Sequence, residues 1–405
     1  MTNIRDQSKR FPFYILYCLI FIAGMSFSVT GAIIPEIADT FNLTSSEVST
    51  LPQAQFFGGF FGLLLLGFLL SRVPPRILLS FFMLTLAIGA LILVFISKYS
   101  RLIPFLFFCI GTSMSIVFGL TGVIVSRASG VRSARNLNIH YSFMSAGVVL
   151  SPLLYGVLTT AGVSYKALFV IISGLAFAVG TAAAVITLPP VLLGGGYSVR
   201  IMKAMFREHL LFLIVILIMS LCYMGSESIP NNWIPKFLDD TFRGFADFRS
   251  RLILSLFWAA VTVGRYICAA ILNRWNNSRG LLIILSLSAA VCLIAAPNMP
   301  GRLSAEILLA GSGLFFSGII PIIFSFTERL PEKLAGIVFI LVLTIGMLGA
   351  SLASRGVGLL ADSFGFKPGV MIGAVPLLIV VVLSLLGGKS LWQTRPSEAI
   401  SLNSP

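Results

Sequence analysis

The sequence predicts an all-α membrane protein of twelve transmembrane helices in two pseudo-symmetric six-helix bundles. Of 405 residues, 57% are hydrophobic and 10% charged, with a mean hydropathy of +1.01. A soluble domain of this length needs far more charge to cover its surface. Apolar runs long enough to cross a bilayer recur about a dozen times. The chain also matches itself at an offset of about half its length.

Taken in order, the predicted spans are Pro12–Pro35, Leu51–Leu70, Ile77–Ile96, Ile103–Val125, Ile139–Thr160, Ala167–Leu188, Leu210–Trp233, Leu252–Leu272, Leu281–Pro297, Ala305–Phe326, Gly336–Gly358 and Val370–Leu386. The run after Arg5, Lys9 and Arg10 is too long for a signal peptide and lacks a small-residue cleavage site, so it reads as an uncleaved first span. The net charge of +14 is spread through short loops and not gathered into a stripe, which argues against a nucleic-acid partner. About 17 basic residues, including Arg72, Arg76, Arg127, Arg274 and Lys389, fall in the N-terminal segment, in alternate loops on its side and in the tail, against about 9 on the other side. That bias predicts a multi-pass inner-membrane protein with both termini cytoplasmic. The five cysteines lie in apolar runs without disulfide or metal spacing, and no cofactor is expected.

Prolines and glycines interrupt the pattern after the sixth span, and SVRIMKAMFREH then alternates apolar and basic residues as a surface amphipathic helix would. The expected organisation is an N-terminal bundle over 1–190, a cytoplasmic linker over 191–209, a C-terminal bundle over 210–390 and a tail over 391–405. The halves repeat. Ile33-Ile34-Pro35-Glu36-Ile37-Ala38-Asp39 corresponds to Trp233-Ile234-Pro235-Lys236-Phe237-Leu238-Asp239, Leu69-Leu70-Ser71-Arg72 to Ile271-Leu272-Asn273-Arg274, and Gly147 and Gly156 to Gly349 and Gly358.

Two six-helix halves related in this way and joined by a cytoplasmic linker resemble the major facilitator superfamily over the whole chain. The loop Gly67-Phe-Leu-Leu-Ser71-Arg72-Val-Pro74-Pro75-Arg76 is similar to that family's pattern after its second span, with Ser71 in place of the aspartate and Pro74 in place of the turn glycine. The resemblance implies gating roles for Arg72, Arg76 and Arg274 in a rebuilt inner latch. It also implies a solute cavity between the halves near the bilayer midplane. Tyr223-Met-Gly225-Ser-Glu227 with Asn232-Trp233, and Asn138-Ile-His140, resemble the fucose–galactose–hexose symporter branch, although the first span lacks that branch's carboxylate and offers Ser26, Ser28 and Thr30.

The stretch Leu221–Phe242 is the expected centre of function, because Pro230 and Pro235 free backbone groups inside the bilayer and predict a broken helix beside a wet cavity. Glu227 is its acid. An intramembrane carboxyl marks either a proton-coupling site or a structural ion pair, and the first reading is preferred. Arg265 and Arg355 are the buried cations, as partners of Glu227 or holders of an anionic solute; each could instead be structural. Asn231, Asn232 and Trp233 offer amides and a stacking face for a sugar-like solute, unless Trp233 is an interfacial anchor. Tyr223, Gln55 and Tyr141 are weaker cavity candidates, and the preferred reading of each is a satisfied inter-helix contact. His140 and His209 read as solvated or capping residues, and neither a catalytic constellation nor a phosphate-binding G-x-x-x-x-G-K-[ST] loop occurs, so an enzyme is not expected.

The expected function is therefore a monomeric secondary carrier that works by alternating access and is proton-coupled. It would move a small polar solute, a sugar among the candidates, across the lipid bilayer. Two alternatives stand beside it: an organic-anion or drug/proton antiporter of the same fold, and a non-transporting receptor or scaffold.

Overall fold

A computed structural model describes residues 13–70, 72–129, 133–185, 206–242, 247–275, 277–327, 330 and 332–386. The linker over 191–205 and the tail over 391–405, with their predicted amphipathic helix and basic residues, lie outside the described residues. Twelve helices are long and apolar enough to cross a membrane: α1 (Phe13–Phe41), α2 (Ser45–Leu69), α3 (Pro75–Phe95), α4 (Leu102–Ser129), α5 (Arg135–Thr160), α6 (Tyr165–Val185), α7 (Leu210–Thr241), α8 (Phe248–Arg274), α9 (Ser278–Asn298), α10 (Arg302–Thr327), α11 (Gly336–Phe364) and α12 (Phe366–Leu386). The face on which α1 begins is called proximal here, and the opposite face distal.

The pairing of helices repeats between the halves. In the first, α1 packs on α5, α2 on α4 and α3 on α6; in the second, α7 packs on α11, α8 on α10 and α9 on α12. The halves meet through α2 with α11, α5 with α8, and α1 with α7. A two-fold relation exchanges the first two of these contacts and maps the third onto itself.

Small residues set these approaches, as expected where lipid supplies no hydrophobic drive between helices. A Cβ on Gly147 would fall on the Phe21 carbonyl of α1, and a Cβ on Gly349 would fall on the Leu221 carbonyl of α7. Gly156 packs on Phe248 and Arg251 of α8, while Gly358 packs on Ser45 and Ser49 of α2. The glycines that reveal the repeat in the sequence therefore sit at equivalent helix crossings in the two halves.

Proline chemistry explains much of the polar content. A proline frees the carbonyl four residues earlier, and lipid offers that carbonyl no donor. Pro152 frees the carbonyl of Val148, which accepts the Ser28 hydroxyl at 2.8 Å. At the equivalent site in the second half Ser228 donates to the Ala350 carbonyl at 3.2 Å. Pro35 and Pro235 free the carbonyls of residues 31 and 231, and Gly31 packs directly on the Asn231 carbonyl where α1 crosses α7.

The predicted break in α7 does not occur: Leu210–Thr241 is one continuous helix with Pro230 and Pro235 inside it. Besides the turn at Ser49 of α2, two helices of the second half are interrupted: α10, with a turn at Ser317–Gly318 ahead of Pro321, and α12, with a turn at Ile372–Gly373 ahead of Pro376. Side chains of α7 serve both. Ser226 donates to the Gly373 carbonyl at 2.7 Å, and Tyr223 to the Phe316 carbonyl at 3.1 Å.

Gly147→Val and Gly349→Val should each lower the thermal unfolding midpoint in detergent, by the equivalent of about 1–3 kcal/mol of overpacking. Gly311→Val, where nothing lies within 4 Å, should leave the midpoint in place.

Candidate functional site

A cavity of about 320 Å³ lies between the halves, lined from α1, α4 and α5 on one side and from α7, α8, α10 and α11 on the other. Most of its wall is apolar, with Phe27, Met114, Phe118, Met144, Met224, Phe324, Phe339 and Met347 facing it. Its lining reaches towards the proximal ends of α5, α10 and α11 through Asn138, Phe324 and Phe339. Glu227 is the one carboxylate and Arg265 the one cation in that lining.

Glu227 and Tyr223 are four residues apart on α7 and so share one helix face. The Tyr223 hydroxyl sits between the Glu227 carboxylate and the Phe316 carbonyl, hydrogen-bonded to both. Arg265, on α8, acts electrostatically on Glu227 but forms no ion pair with it, and its buried Nε has no hydrogen-bond partner. Tyr141 also lines the cavity.

The distal end of the cavity is closed by Phe27 of α1 against Trp258 of α8, edge to face at 5.5 Å and 79°. The amides assigned to solute binding from the sequence support this roof instead. Asn231 accepts from Trp258 Nε1 at 3.0 Å and donates to Asn232 Oδ1 at 3.0 Å, and Asn232 donates to Ser354 Oγ at 3.0 Å. Both amides are buried and neither lines the cavity. Trp233 is fully buried against Phe366, so it is neither a stacking face for solute nor an interfacial anchor. Gln55 is likewise consumed between helices, bonded to Thr30 and donating to the Ser26 carbonyl at 2.7 Å.

Arg355 also moves to a different role. It does not line the cavity but bonds the Ser46 carbonyl and Ser49 Oγ, the latter at 2.9 Å, across the junction of α11 with α2. Two turns further out the Asp362 carboxylate accepts the backbone N–H groups of Ser45 and Ser46 at 2.8 and 2.9 Å. A carboxylate from one half thus caps the first turn of a helix in the other, where the exposed amides and helix dipole favour an anion. Ser351 adds a bond to the Gln53 carbonyl at 2.9 Å.

The second distal junction is built from Asp239, Arg251, Tyr155 and Glu36. Arg251 reaches Asp239 at 3.2 Å, its guanidinium lies 5.5 Å from the Tyr155 ring centroid in the other half, and the Tyr155 hydroxyl bonds Glu36. Glu306, a second buried carboxyl the sequence did not single out, is paired at this face with Arg302 at 2.8 Å and Arg249. His140 is buried beside Tyr17, with Nε2 3.1 Å from Thr121 Oγ1, and is not solvated.

At the proximal face Arg72, Arg76 and Arg274 form no hydrogen bond or ion pair across the halves among the described residues. Arg72 lies over its own Phe68 ring at 3.6 Å, and Arg76 and Arg274 are exposed. The residues that join the halves, Asp362, Arg251, Ser46 and Ser49, escaped the sequence reading. One signal was available: Thr44-x-x-Glu47 is a capping box, realised in the structure, and it marks the helix start that Asp362 caps.

In a background without the native cysteines, a cysteine at Ser351 should react slowly with an impermeant maleimide applied at the distal side. Adding Arg355→Gln or Asp362→Asn should raise that rate severalfold. Equal rates in all three proteins would mean that these contacts do not hold the face shut.

A family model described as Major Facilitator Superfamily matches residues 16–354. Protein TsgA of Shigella dysenteriae serotype 1 is 24% identical over 403 residues, covering 96% of each chain. Among solved structures, a bacterial homologue of the human lysosomal transporter Spinster, described as inward-facing and unoccupied, aligns with TM-score 0.75 at 14% identity, over 98% of this chain and 100% of that one. The E. coli fucose:proton symporter FucP aligns with TM-score 0.64 at 17% identity, over 93% and 98%.

Proposed function

Because the chain belongs to the Major Facilitator Superfamily and is a transporter of that fold, we propose that it is a proton-linked secondary carrier of a small organic solute. The observation that carries this reading is the Glu227–Tyr223–Phe316 chain at the wall of a cavity between two bundles. A phenol has one proton to donate. When Glu227 is protonated, it donates to the Tyr223 oxygen, and Tyr223 donates onward to the Phe316 carbonyl. When Glu227 is ionised, the phenol proton turns to the carboxylate, and the carbonyl at the α10 turn loses its donor. The protonation state of the acid is thereby conveyed to an interrupted helix that lines the same cavity.

The asymmetry of the faces supports alternating access. Charge-assisted contacts hold the distal face, each worth about 1.5–3 kcal/mol or less, and the helix-cap contribution of Asp362 is about 0.3–1 kcal/mol. Differential solute binding of a few kcal/mol is enough to reverse such a seal. The bundles over 1–190 and 210–390 are the moving bodies, with 191–209 as their tether. The basic-residue bias puts the proximal face in the cytoplasm of an inner-membrane protein, so this conformation faces inward. One chain builds the whole cavity, which suits a monomeric carrier. The proton coupling of the fucose symporter, a fold relative, is consistent with a role for Glu227.

The test takes a solute that raises the unfolding midpoint in a screen of sugars, nucleosides, carboxylates and cationic drugs, and follows it into proteoliposomes. Glu227→Gln should abolish uptake driven by a pH gradient and retain counterflow. Unchanged uphill uptake would remove Glu227 from coupling, and a protein that supports no counterflow of any stabilising solute would be a receptor or scaffold.

A further inference from the structure

Arg265 is the charge in this cavity for which the described residues supply no partner. Its Nε is buried without a hydrogen bond, and among the described residues no ion pair engages it. Glu227, the obvious candidate, is held by Tyr223 and stays out of ion-pair range. A guanidinium within the bilayer is expensive and is retained where it has a function, with its partner to be named. Its planar fork of donors matches a carboxylate in two-point contact.

The remainder of the wall specifies the rest of the solute. A polyhydroxylated sugar exchanges many water hydrogen bonds for protein ones and suffers for each left unmade. Here Asn231 and Asn232 lie outside the cavity, Trp258 Nε1 is already given to Asn231, and Thr262 bonds the Trp258 carbonyl at 2.9 Å, which leaves Ser115, Asn138, Tyr141 and Ser145 as a sparse polar complement in the lining. What faces the space is mainly aromatic rings and methionine thioethers, the latter adaptable in shape. The volume, about 320 Å³, falls at the small end of ligand pockets.

Resting on the transporter reading above, we infer that the solute is a small organic anion, a monocarboxylate with an apolar body. Its carboxylate is held by Arg265, and its body lies against Phe27, Phe118, Phe324 and Phe339. The charge count then explains the coupling. With Glu227 ionised, the carboxylate and the guanidinium sum to zero, and a monoanion entering this low-dielectric space leaves a net negative charge. A proton taken from water onto the Glu227 carboxylate restores neutrality, so anion and proton enter together. The other titratable side chains in the lining are Tyr141 of α5 and Tyr223 of α7; α1, α4, α10 and α11 contribute none.

The test uses the full-length chain in nanodiscs, with butyrate through octanoate and phenylacetate as probes, each paired with its primary amide, and xylose and adenosine for comparison. Binding is read from tryptophan fluorescence, since Trp258 forms part of the wall. At least one carboxylate should bind roughly tenfold or more tightly than its amide. Its affinity should fall as pH rises, a dependence lost in Glu227→Gln. Arg265→Gln should bring the carboxylate down to the level of the amide, whose own binding is retained, and Arg265→Lys should keep part of the preference. If Arg265→Gln does not fold, the carboxylate–amide comparison in the parent protein decides alone. No carboxylate surpassing its amide, or a preference that survives Arg265→Gln in folded protein, overturns the assignment. A neutral sugar or nucleoside that binds and is taken up through Glu227 would also overturn it while leaving the proton-linked carrier intact; loss of all counterflow would instead remove the carrier reading itself.

Discussion

Backbone hydrogen bonding in the absence of water is the constraint from which most of this structure follows. Prolines within α5, α7, α10 and α12 each withdraw a donor in a region where lipid cannot replace it. Polar side chains of α1 and α7 answer such losses: Ser28 serves the Val148 carbonyl that Pro152 frees, while Ser226 and Tyr223 serve the Gly373 and Phe316 carbonyls at the turns of α12 and α10. With those donors from α7, helices α10 and α12 of the second half are interrupted without leaving the Phe316 and Gly373 carbonyls unsatisfied.

Tyr223 makes a second contact beyond satisfying α10, and the proposed proton coupling rests on it. The same hydroxyl contacts the only carboxylate in the cavity, so a change of charge there alters the hydrogen bonding of an interrupted helix. The distal face is tied by a different kind of contact, in which ends of helices are capped across the two halves: Asp362 on the amides of Ser45 and Ser46, and Arg355 on the carbonyl of Ser46. These bonds are local, strongly directional and few, and such a junction separates as a unit when the helices tilt.

The architecture was legible in the sequence because span length is set by the bilayer and by little else, and because a glycine at a backbone crossing cannot be exchanged freely. Gly147, Gly156, Gly349 and Gly358 both betray the repeat and create its contacts. Glu227 and Arg265 were legible as candidates for a cavity, since ionisable groups at that depth have few other uses, whereas Tyr223 and Tyr141, which also line it, read in the sequence first as inter-helix contacts. Arg355, Asn231, Asn232, Trp233 and Gln55 bond or pack between helices and do not line the cavity, and the sequence could not separate those two uses. Residue type reveals that a polar group inside a membrane needs a partner but not whether that partner is a solute or a neighbouring helix. The break expected in α7 fell in α10 and α12 for a related reason: a proline in a long helix can be accommodated by close packing, as Gly31 does for Asn231, whereas a glycine ahead of a proline yields a turn.

The central claim is that Glu227 exchanges its proton with the medium through an open cavity, and infrared difference spectroscopy of the reconstituted protein addresses it directly. A protonated carboxyl carbonyl band should grow as the medium is acidified and should be missing in the Glu227→Gln protein. A band that ignores pH, or one that persists in Glu227→Gln, would contradict the account.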